Sequence, residues 1–460
     1  MKKNIRILAL LMAMIFALTA CSSAKTDTPK QEGAGGETAS GETAGGETNS
    51  GEAGEDIELT VSHYYLEEER SSNAVGDSFL SMAEKWQQEN PDITLNQQSM
   101  SQSDYSTKIQ AQAAVNEVPD IFMVKGSWVD NFVDNGIMAP INDYLDKYEH
   151  KDAFREGVFD AATRDGNIYG LPNQLSITSV VYYNDKLWKS IGYDTFPDNW
   201  DDIFKAAEKF NEKGIAAISL GNSERWPAES CILSTLGDRY TGMDWTNSII
   251  AHDGKAKFTD PTFISALTKL QEMAVKQVFN PDFNTITETQ SVEYYSQEKA
   301  ASVVSGHWTV SAIESFASED ILNNTKVAIL PAVDGGKADS ISGGCGWYFA
   351  VNKNLTGKKL DAAMDFIFAT TGYDMCEYAA NEHGIIGAAI IDNPDQSKIS
   401  QLSKDFIKLV DGVSFTPVYD LRMNGSVIEV MNTGIQELLN NSKTPEDLAA
   451  EIQTEQDLLK

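Results

Sequence analysis

The chain has 460 residues and a formal net charge of −32 at pH 7, because 68 acidic side chains outnumber 36 basic ones. Such an acidic surface repels nucleic acid and anionic membrane surfaces, and it disfavours a strongly anionic ligand, so a neutral solute fits it best. The length exceeds what one hydrophobic core usually supports, which predicts two lobes.

The first twenty residues have the pattern of a secretory signal. Lys2, Lys3 and Arg6 precede an apolar run over 7–18, which is shorter than the roughly 20 residues of a membrane-spanning helix. The run ends in Leu18-Thr19-Ala20-Cys21, which resembles the bacterial lipoprotein signal, in which the cysteine thiol is acylated. This predicts a signal peptide over 1–20 and a lipid on Cys21, with a plain secretory cleavage site as the alternative.

Residues 21–55 have the composition of a tether. Large apolar side chains are almost absent, and Gly-Glu-Thr recurs from Gly36, Gly41 and Gly46. A segment of this kind cannot bury enough surface to offset its ordering entropy, so we expect a disordered linker between the lipid and a folded body. A low-complexity binding segment is the alternative, although it would have nothing aromatic or basic to bind with.

Strands and helices alternate in the first part of the folded body. Strands are predicted over 57–61, 93–96 and 121–124, and helices over 79–86, 105–113 and 128–133. The helix over 79–86 has Phe79, Met82, Ala83 and Trp86 on one face. This alternation predicts a parallel α/β sheet.

Strands and helices are also predicted in the later part of the chain. Asp165-Gly166 predicts a hairpin turn, and strands are expected over 168–171, 178–183, 216–220 and 301–304. Helices are predicted to begin at 184 and to cover 201–210, 263–270 and 427–438. A glycine cluster over 343–346 is expected to stand just before a strand over 347–351.

Catalytic and cofactor motifs are scarce. There is no Gly-x-Ser-x-Gly elbow and no phosphate-binding loop, and the five histidines stand singly, so neither a cofactor nor a metal site is expected. No catalytic residue is assigned. Cys231, Cys345 and Cys376 show no disulfide framework, although a single bridge among them stays open.

Aromatic residues recur where predicted strands end. They are Tyr64, Tyr65, Trp128, Trp226, Trp308 and Trp347. In open α/β sheets ligands sit at the carboxyl ends of strands. A flat aromatic face matches the apolar face of a pyranose ring, and neighbouring amides and carboxylates match its hydroxyls. The sequence therefore favours a sugar site, with Trp226 and Trp308 as its foremost candidates.

From about Glu58 onward the chain resembles the extracellular solute-binding proteins of ABC-type sugar importers, of the maltodextrin and multiple-sugar type. The markers occur in the family's order: Phe79-x-x-Met82-Ala83-x-x-Trp86, Asn90-Pro91-Asp92-Ile93, Pro119-Asp120-Ile121, Gly136-Ile137-Met138-Ala139-Pro140-Ile141, Tyr169-Gly170-Leu171-Pro172, Val181-Tyr182-Tyr183-Asn184-Asp185, Phe196-Pro197-Asp198-Asn199-Trp200-Asp201-Asp202, Ser305-Gly306-His307-Trp308 and Gly343-Gly344-Cys345-Gly346-Trp347. Each is weak alone, and their order behind a lipoprotein signal makes them strong together.

The resemblance implies an α/β, two-lobed periplasmic-binding-protein-like fold of type II, with hinge-crossing segments and a ligand cleft. Lobe one would hold 56–176 and 346–395, and lobe two 177–345 and 396–460. By family position the ligand contacts are Trp308 as the stacking residue, Glu224 and Trp226 in lobe two, Tyr65 and Trp128 in lobe one, Asn173 and Gln174 at the first crossing, and Arg422 in a late loop. His307 stands where the family often has a small residue or proline, so packing is its expected role.

The resemblance also implies where the protein is located and which partners it has. The protein would be a non-enzymatic monomer on the outer face of the cytoplasmic membrane, anchored by its lipid, and it would deliver a sugar to the permease subunits of an ABC importer. A Gram-positive surface is expected, with a periplasmic leaflet as the alternative. The particular sugar is not carried over, because the contact loops vary most between members.

Three other functions stay open at this stage. A binder of a peptide or phosphorylated solute would turn Arg225, Arg422 and Lys125 toward the cleft. A surface glycosidase would use a carboxylate pair that the sequence does not single out. A structural adhesin would have no small-molecule cleft.

Overall fold

A computed structural model describes residues 57–333 and 338–459. The predicted signal peptide over 1–20, the lipid on Cys21 and the tether over 21–55 lie outside the described residues. Within the described ranges, no helix combines the length and the apolar character needed to span a bilayer.

The strands fall into two main sheets and one short hairpin. Their bounds are β1 Ile57–His63, β2 Ile93–Ser99, β3 Ile121–Lys125, β4 Thr163–Arg164, β5 Asn167–Ile168, β6 Leu171–Ile177, β7 Val180–Asn184, β8 Ser302–Ser305, β9 Thr325–Ile329, β10 Ser340–Val351 and β11 Ser414–Thr416. The predicted turn at Asp165-Gly166 joins β4 to β5, which pair in antiparallel fashion.

The helices surround both sheets. Their bounds are α1 Ala74–Glu89, α2 Gln102–Ala114, α3 Val129–Asp134, α4 Asn142–Leu145, α5 Asp185–Lys189, α6 Trp200–Asn211, α7 Trp226–Ala228, α8 Ser234–Thr241, α9 Met243–Ile250, α10 Pro261–Val275, α11 Glu288–Ser296, α12 Thr309–Phe316, α13 Glu319–Asn324, α14 Gly357–Thr371, α15 Tyr373–His383, α16 Gln401–Val410, α17 Tyr419–Arg422, α18 Gly425–Leu439 and α19 Pro445–Asp457. Polar side chains cap many of their first turns, as Asn73 does for α1 and Asn199 for α6.

The first sheet has six strands, in the order β11-β10-β3-β1-β2, with β6 also paired to β10. β1 runs parallel to β2 and to β3, as the alternation of strands and helices predicts. β10, however, runs antiparallel to β3 and to β6, so the sheet is mixed and not purely parallel. The direction of β10 depends on pairing with residues far away in the chain, which a local pattern does not encode.

The second sheet has three strands in the order β8-β7-β9, all antiparallel. The predicted strand over 216–220 forms only isolated parallel bridges, from Ala216 to Ala300, from Ile218 to Phe279 and from Ser219 to Val303. This segment therefore widens the second sheet without a continuous ladder.

Two hydrophobic cores accompany the two sheets. In the first, Phe79 of α1 stacks on Phe349 of β10 with ring centroids 4.9 Å apart and planes 5° apart. In the second, Trp188 and Phe210 meet edge to face at 5.2 Å. Part of α12 and α13, which the predicted boundaries give to lobe two, is buried in the first core.

The chain passes between the two sheets at strand junctions. β6 of the first sheet leads directly into β7 of the second, and β9 of the second is followed by β10 of the first. β6 and β10 are hydrogen-bonded neighbours, so the end of β6 lies beside the start of β10.

The glycine cluster lies inside β10, not before a strand as its composition suggests. Gly344 has a φ of 146°, which an L side chain rarely adopts, and the pairing with β6 shifts its register between Cys345 and Trp347. The glycines therefore accommodate a bulge within a continuous strand. Cys231, Cys345 and Cys376 are buried free thiols, so the open question of a bridge among them is answered.

Gly221 controls how closely the segment before α7 approaches α11. A Cβ atom at this position would lie 1.9 Å from the Thr287 carbonyl oxygen. Because that atom is backbone, Gly221→Ala should destabilise the protein by about 1–3 kcal/mol, the usual range for overpacking. Urea unfolding measures this effect. Gly412→Ala is the matched control, since its nearest contact would be 3.5 Å away, and an equal loss in both variants would contradict the prediction.

Candidate functional site

A cleft of about 840 Å³ lies where the strands of the two sheets end. Tyr64 and Tyr65 follow β1, Lys125 ends β3, and Trp308 follows β8. Its lining residues are Tyr64, Tyr65, Glu69, Ser72, Asn73, Ser101, Gln102, Ser103, Lys125, Gln174, Ser176, Thr178, Ser223, Glu224, Trp226, Ser230, Thr287, Glu288, Thr289, Trp308, Ala312, Phe316, Trp347, Val418, Asp420 and Leu421. The volume falls in the range of small-molecule sites.

Two indole rings form one wall of this cleft. Trp226 and Trp308 meet at 64° with ring centroids 5.8 Å apart. Arg225 has a left-handed φ of 71°, and this sharp turn precedes α7, which begins at Trp226. The Arg225 guanidinium forms an ion pair with Glu429 on α18.

A buried carboxylate holds Trp308 in place. Glu288 Oε1 accepts a hydrogen bond from Trp308 Nε1 at 3.1 Å and another from Ser305 Oγ at 2.5 Å. The Glu288 backbone N–H donates in turn to Glu224 Oε2 at 3.0 Å. Burial raises the pKa of Glu288 above its usual value, and the two side-chain donors oppose that rise. Glu288 thus positions the aromatic wall.

The opposite wall is also aromatic. The ring centroids of Tyr64 and Tyr65 lie 4.8 Å apart, and Tyr64 meets Trp347 edge to face at 5.0 Å. Asn173 Nδ2 donates a hydrogen bond to the Tyr65 hydroxyl from behind. Burial raises the pKa of both tyrosine hydroxyls, so these rings present neutral phenols.

An ion pair lies at the floor of the cleft. Lys125 Nζ at the end of β3 lies 2.6 Å from Asp420 Oδ2 on α17. Glu229 is fully buried in a π-helical turn beside them, and its carboxylate accepts hydrogen bonds from Ser234 Oγ and Ser230 Oγ. Burial, followed by the charge of Asp420, raises the pKa of Glu229 well above its usual value. The raised pKa favours the protonated form of the Glu229 carboxyl.

The structure brings six of the nine expected ligand residues together in the cleft. They are Tyr65, Gln174, Glu224, Trp226, Trp308 and Trp347. Trp347 is only 4% exposed and Tyr65 only 1%, so each offers the cleft a small part of its ring.

The other three lie elsewhere, and each has a physical reason. Trp128 packs edge to face behind Trp347 at 5.4 Å. Asn173 is fully buried behind Tyr65. Arg422 lines a different cavity and lies 3.8 Å from Asp160. Strand-end position alone does not tell which aromatic or polar side chain reaches the cleft and which supports it.

Several lining residues carry no strong signal in the sequence. Glu69, Gln102, Glu288 and Asp420 are polar residues in ordinary helical contexts. Only the start of α11 could have been noticed, because Thr287 and Gln290 form a capping box immediately around Glu288. His307 is buried and accepts a hydrogen bond from the Ile177 backbone N–H on Nδ1 at 3.4 Å, which fits a packing role. Burial lowers its pKa to about 4.

Metal ligation is not supported among the described residues. Over 57–333 and 338–459 there is no group of three or more His, Cys, Asp or Glu side chains that could hold a metal ion. In the cleft, Glu224 and Glu288 accept hydrogen bonds and Asp420 pairs with Lys125.

Comparison with known proteins assigns the family. Residues 70–370 match the family described as bacterial extracellular solute-binding protein, and the chain belongs to this family. Its members are binding proteins of ABC transporters and not enzymes.

Individual relatives are distant. An uncharacterized ABC transporter extracellular-binding protein of Pyrococcus horikoshii is 23% identical over 258 residues, which cover 55% of this chain and 56% of that protein. The chain thus spans little more than half of that relative. The arabinooligosaccharide-binding protein of Bacillus subtilis is 24% identical over 382 residues, covering 74% of this chain and 84% of that protein.

The fold is shared with solved structures. A chitin oligosaccharide binding protein superposes with a TM-score of 0.78 at 23% identity, over 88% of this chain and 98% of that one. The fold is therefore the two-lobed α/β fold of periplasmic sugar-binding proteins, as the resemblance implies.

Two substitutions separate the charge of Glu288 from its hydrogen bonds. Glu288→Gln keeps an acceptor for Trp308 Nε1, whereas Glu288→Ala leaves the Ser305 hydroxyl and the indole N–H without a partner. We expect Glu288→Ala to lose about 1–3 kcal/mol of stability and Glu288→Gln distinctly less. Urea unfolding measures the loss, and tryptophan fluorescence reports the environment of the rings. Equal losses of stability in both variants would show that the hydrogen-bond acceptor at position 288 does not account for the contribution of Glu288 to stability.

Glu229 should make stability depend on pH. Its folded-state pKa is raised above the usual 4.5, so its contribution is present in full at low pH and is lost as pH rises toward the folded-state value. Glu229→Gln cannot ionise, so its stability relative to the unsubstituted protein should increase from pH 5 to pH 8. The limiting slope is about 1.4 kcal/mol per pH unit. Urea midpoints at several pH values test this, and a difference that stays constant with pH would contradict it.

Proposed function

We propose that the protein is a lipid-anchored extracellular receptor that captures a sugar or oligosaccharide in this cleft and delivers it to the permease of an ABC importer. The observation that carries the proposal is the pair of indole rings, Trp226 and Trp308, set opposite Tyr64 and Tyr65 across a cleft of about 840 Å³. The partly exposed indole faces suit the apolar faces of pyranose rings, and the buried Tyr64 and Tyr65 add a smaller aromatic surface on the other wall.

The polar lining supports a hydroxyl-rich ligand. Gln102, Gln174 and Glu224 offer amide and carboxylate groups that match sugar hydroxyls. The names of two similar proteins, an arabinooligosaccharide-binding protein and a chitin oligosaccharide binding protein, agree with this ligand class.

The charges in the cleft argue against an anionic solute. Of the three basic residues that such a ligand would need, Arg225 pairs with Glu429 and Arg422 lies outside the cleft. Lys125 lines the cleft but is already paired with Asp420. With Glu69, Glu224 and Glu288 also in the lining, a peptide carboxylate or a phosphate would meet net repulsion.

In this proposal the ligand closes two lobes, which hold 56–176 with 346–395 and 177–345 with 396–460. Contacts from both lobes are complete only in the closed form, so ligand shifts the population toward closure. The closed form would then dock on the permease.

The anchor and location are inferred from the N-terminal pattern. Acylated Cys21 would hold the protein on the outer face of the cytoplasmic membrane, and the tether over 21–55 would let the monomer reach its permease. The acidic charge of the whole chain agrees with a protein that stands away from the anionic lipid surface.

Trp308→Ala tests the proposed site. Removal of the stacking ring should weaken the binding of the best saccharide from a panel by about tenfold or more, and Trp308→Phe should recover part of it. Calorimetry measures the dissociation constants. Tyr294→Ala is the control, because Tyr294 is a half-buried aromatic residue outside the cleft lining. Unchanged affinity in Trp308→Ala would remove Trp308 from the site, and the absence of any saccharide ligand would overturn the proposed function.

A further inference from the structure

A second cavity, of about 490 Å³, lies on the other side of the strand β6 from the cleft. Gln174 and Ser176 line the cleft, whereas Leu175 between them lines the second cavity. Successive side chains of a strand point to opposite faces, so β6 separates the two spaces. No residue lines both.

The wall of this cavity is largely aliphatic. Ile385, Ile386, Ile391 and Ile407 line it together with Val410, and all four isoleucines remain partly exposed. Phe415 also lines the cavity and is 42% exposed. An apolar ligand group in this cavity would bury the exposed parts of these isoleucine and phenylalanine side chains.

A guanidinium group without a carboxylate partner lies in the same wall. Arg155 is half-buried, and its Nε donates to the Gly387 carbonyl oxygen at 3.0 Å. Among the ion pairs of the described residues, no carboxylate oxygen lies within 4.0 Å of Arg155. Burial lowers the pKa of Arg155, and this penalty on the charged form is what a bound anion would relieve.

The lining of the cavity holds two guanidinium groups and three carboxylates, and Arg422 lies 3.8 Å from one of them, Asp160. Arg155 and Arg422 are both partly buried, whereas Glu156, Asp160 and Asp411 are exposed to solvent. The positive groups therefore lie deeper than the negative ones. One carboxylate can pair with the planar fork of Arg155, whereas a polyanion would be repelled by the three carboxylates at the rim.

We propose that this cavity is a second ligand site that takes a small monocarboxylate with an apolar body. The carboxylate would pair with Arg155, and the body would lie on the isoleucine wall. This site is independent of the sugar cleft in its chemistry, and it would explain why Arg422 stands at a family contact position but faces away from the cleft.

The position of the cavity predicts coupling to the cleft, and this part rests on the proposed function. Its lining comes from 155–160, 380–396 and 407–422 and from Leu175, Gly344 and Cys345, which belong to different pieces of the proposed lobes. A ligand there would favour one lobe arrangement, so it would change saccharide affinity, and saccharide would change its affinity by the same factor.

The direct test compares 4-phenylbutyrate with its neutral amide, by calorimetry on the purified full-length protein. The acid should bind, and the amide should bind at least about tenfold more weakly. Arg155→Gln should weaken the acid about tenfold or more, while Arg155→Lys, which keeps the charge, should lose less. Trp308→Ala, in the sugar cleft, should leave acid binding within about twofold.

Three outcomes would overturn the second site: no binding of the acid, equal binding of acid and amide, or a loss of acid binding in Trp308→Ala. Because Arg155→Gln also disturbs the Gly387 contact, Ile386→Trp serves as an independent variant that fills the cavity from a partly exposed position, and it should abolish acid binding. Unaltered binding there would also overturn the site. Saccharide titration of the same variants tests the proposed function separately.

Discussion

The pairing of β6 with β10 is the constraint on which both cavities depend. These two antiparallel strands carry the chain between the two sheets, and their side chains alternate between two spaces. Gln174 and Ser176 face the cleft, and Leu175 faces the second cavity. Because the period of a strand is two residues, a shift of one residue would exchange the two linings. The bulge near Gly344 allows Trp347 to reach the cleft within this register.

Buried carboxylates of the cleft lining hold its aromatic and basic side chains in place. Glu288 accepts from both Trp308 and Ser305, and its cost of burial is offset by those donors. Asp420 pairs with Lys125 at the floor of the cleft, and the raised pKa of Glu229 favours its uncharged form. The result is a frame of hydrogen-bonded and ion-paired acidic groups around two aromatic walls, which suits an uncharged, hydroxyl-rich ligand.

Much of the fold could be predicted because its signals are local. The alternation in β1, the apolar face of α1 and the Asp165-Gly166 turn each depend on neighbouring residues, and the structure has all three. The antiparallel direction of β10 and the placement of the glycine cluster inside it could not be read, because both depend on partners in β3 and β6. The segment over 216–220 failed as a continuous strand for the same reason.

The sequence by itself determined the class of protein, the positions of most elements and the aromatic residues at strand ends. It did not determine which of those residues meet. Trp226 and Trp308 are far apart in the chain and come together only because the start of α7 and the end of β8 converge. Trp128 carries the same local signal and yet lies behind Trp347. Local periodicity determines the face of a helix or strand on which a side chain lies. Only the packing between elements that are distant in the chain decides which other side chains it contacts.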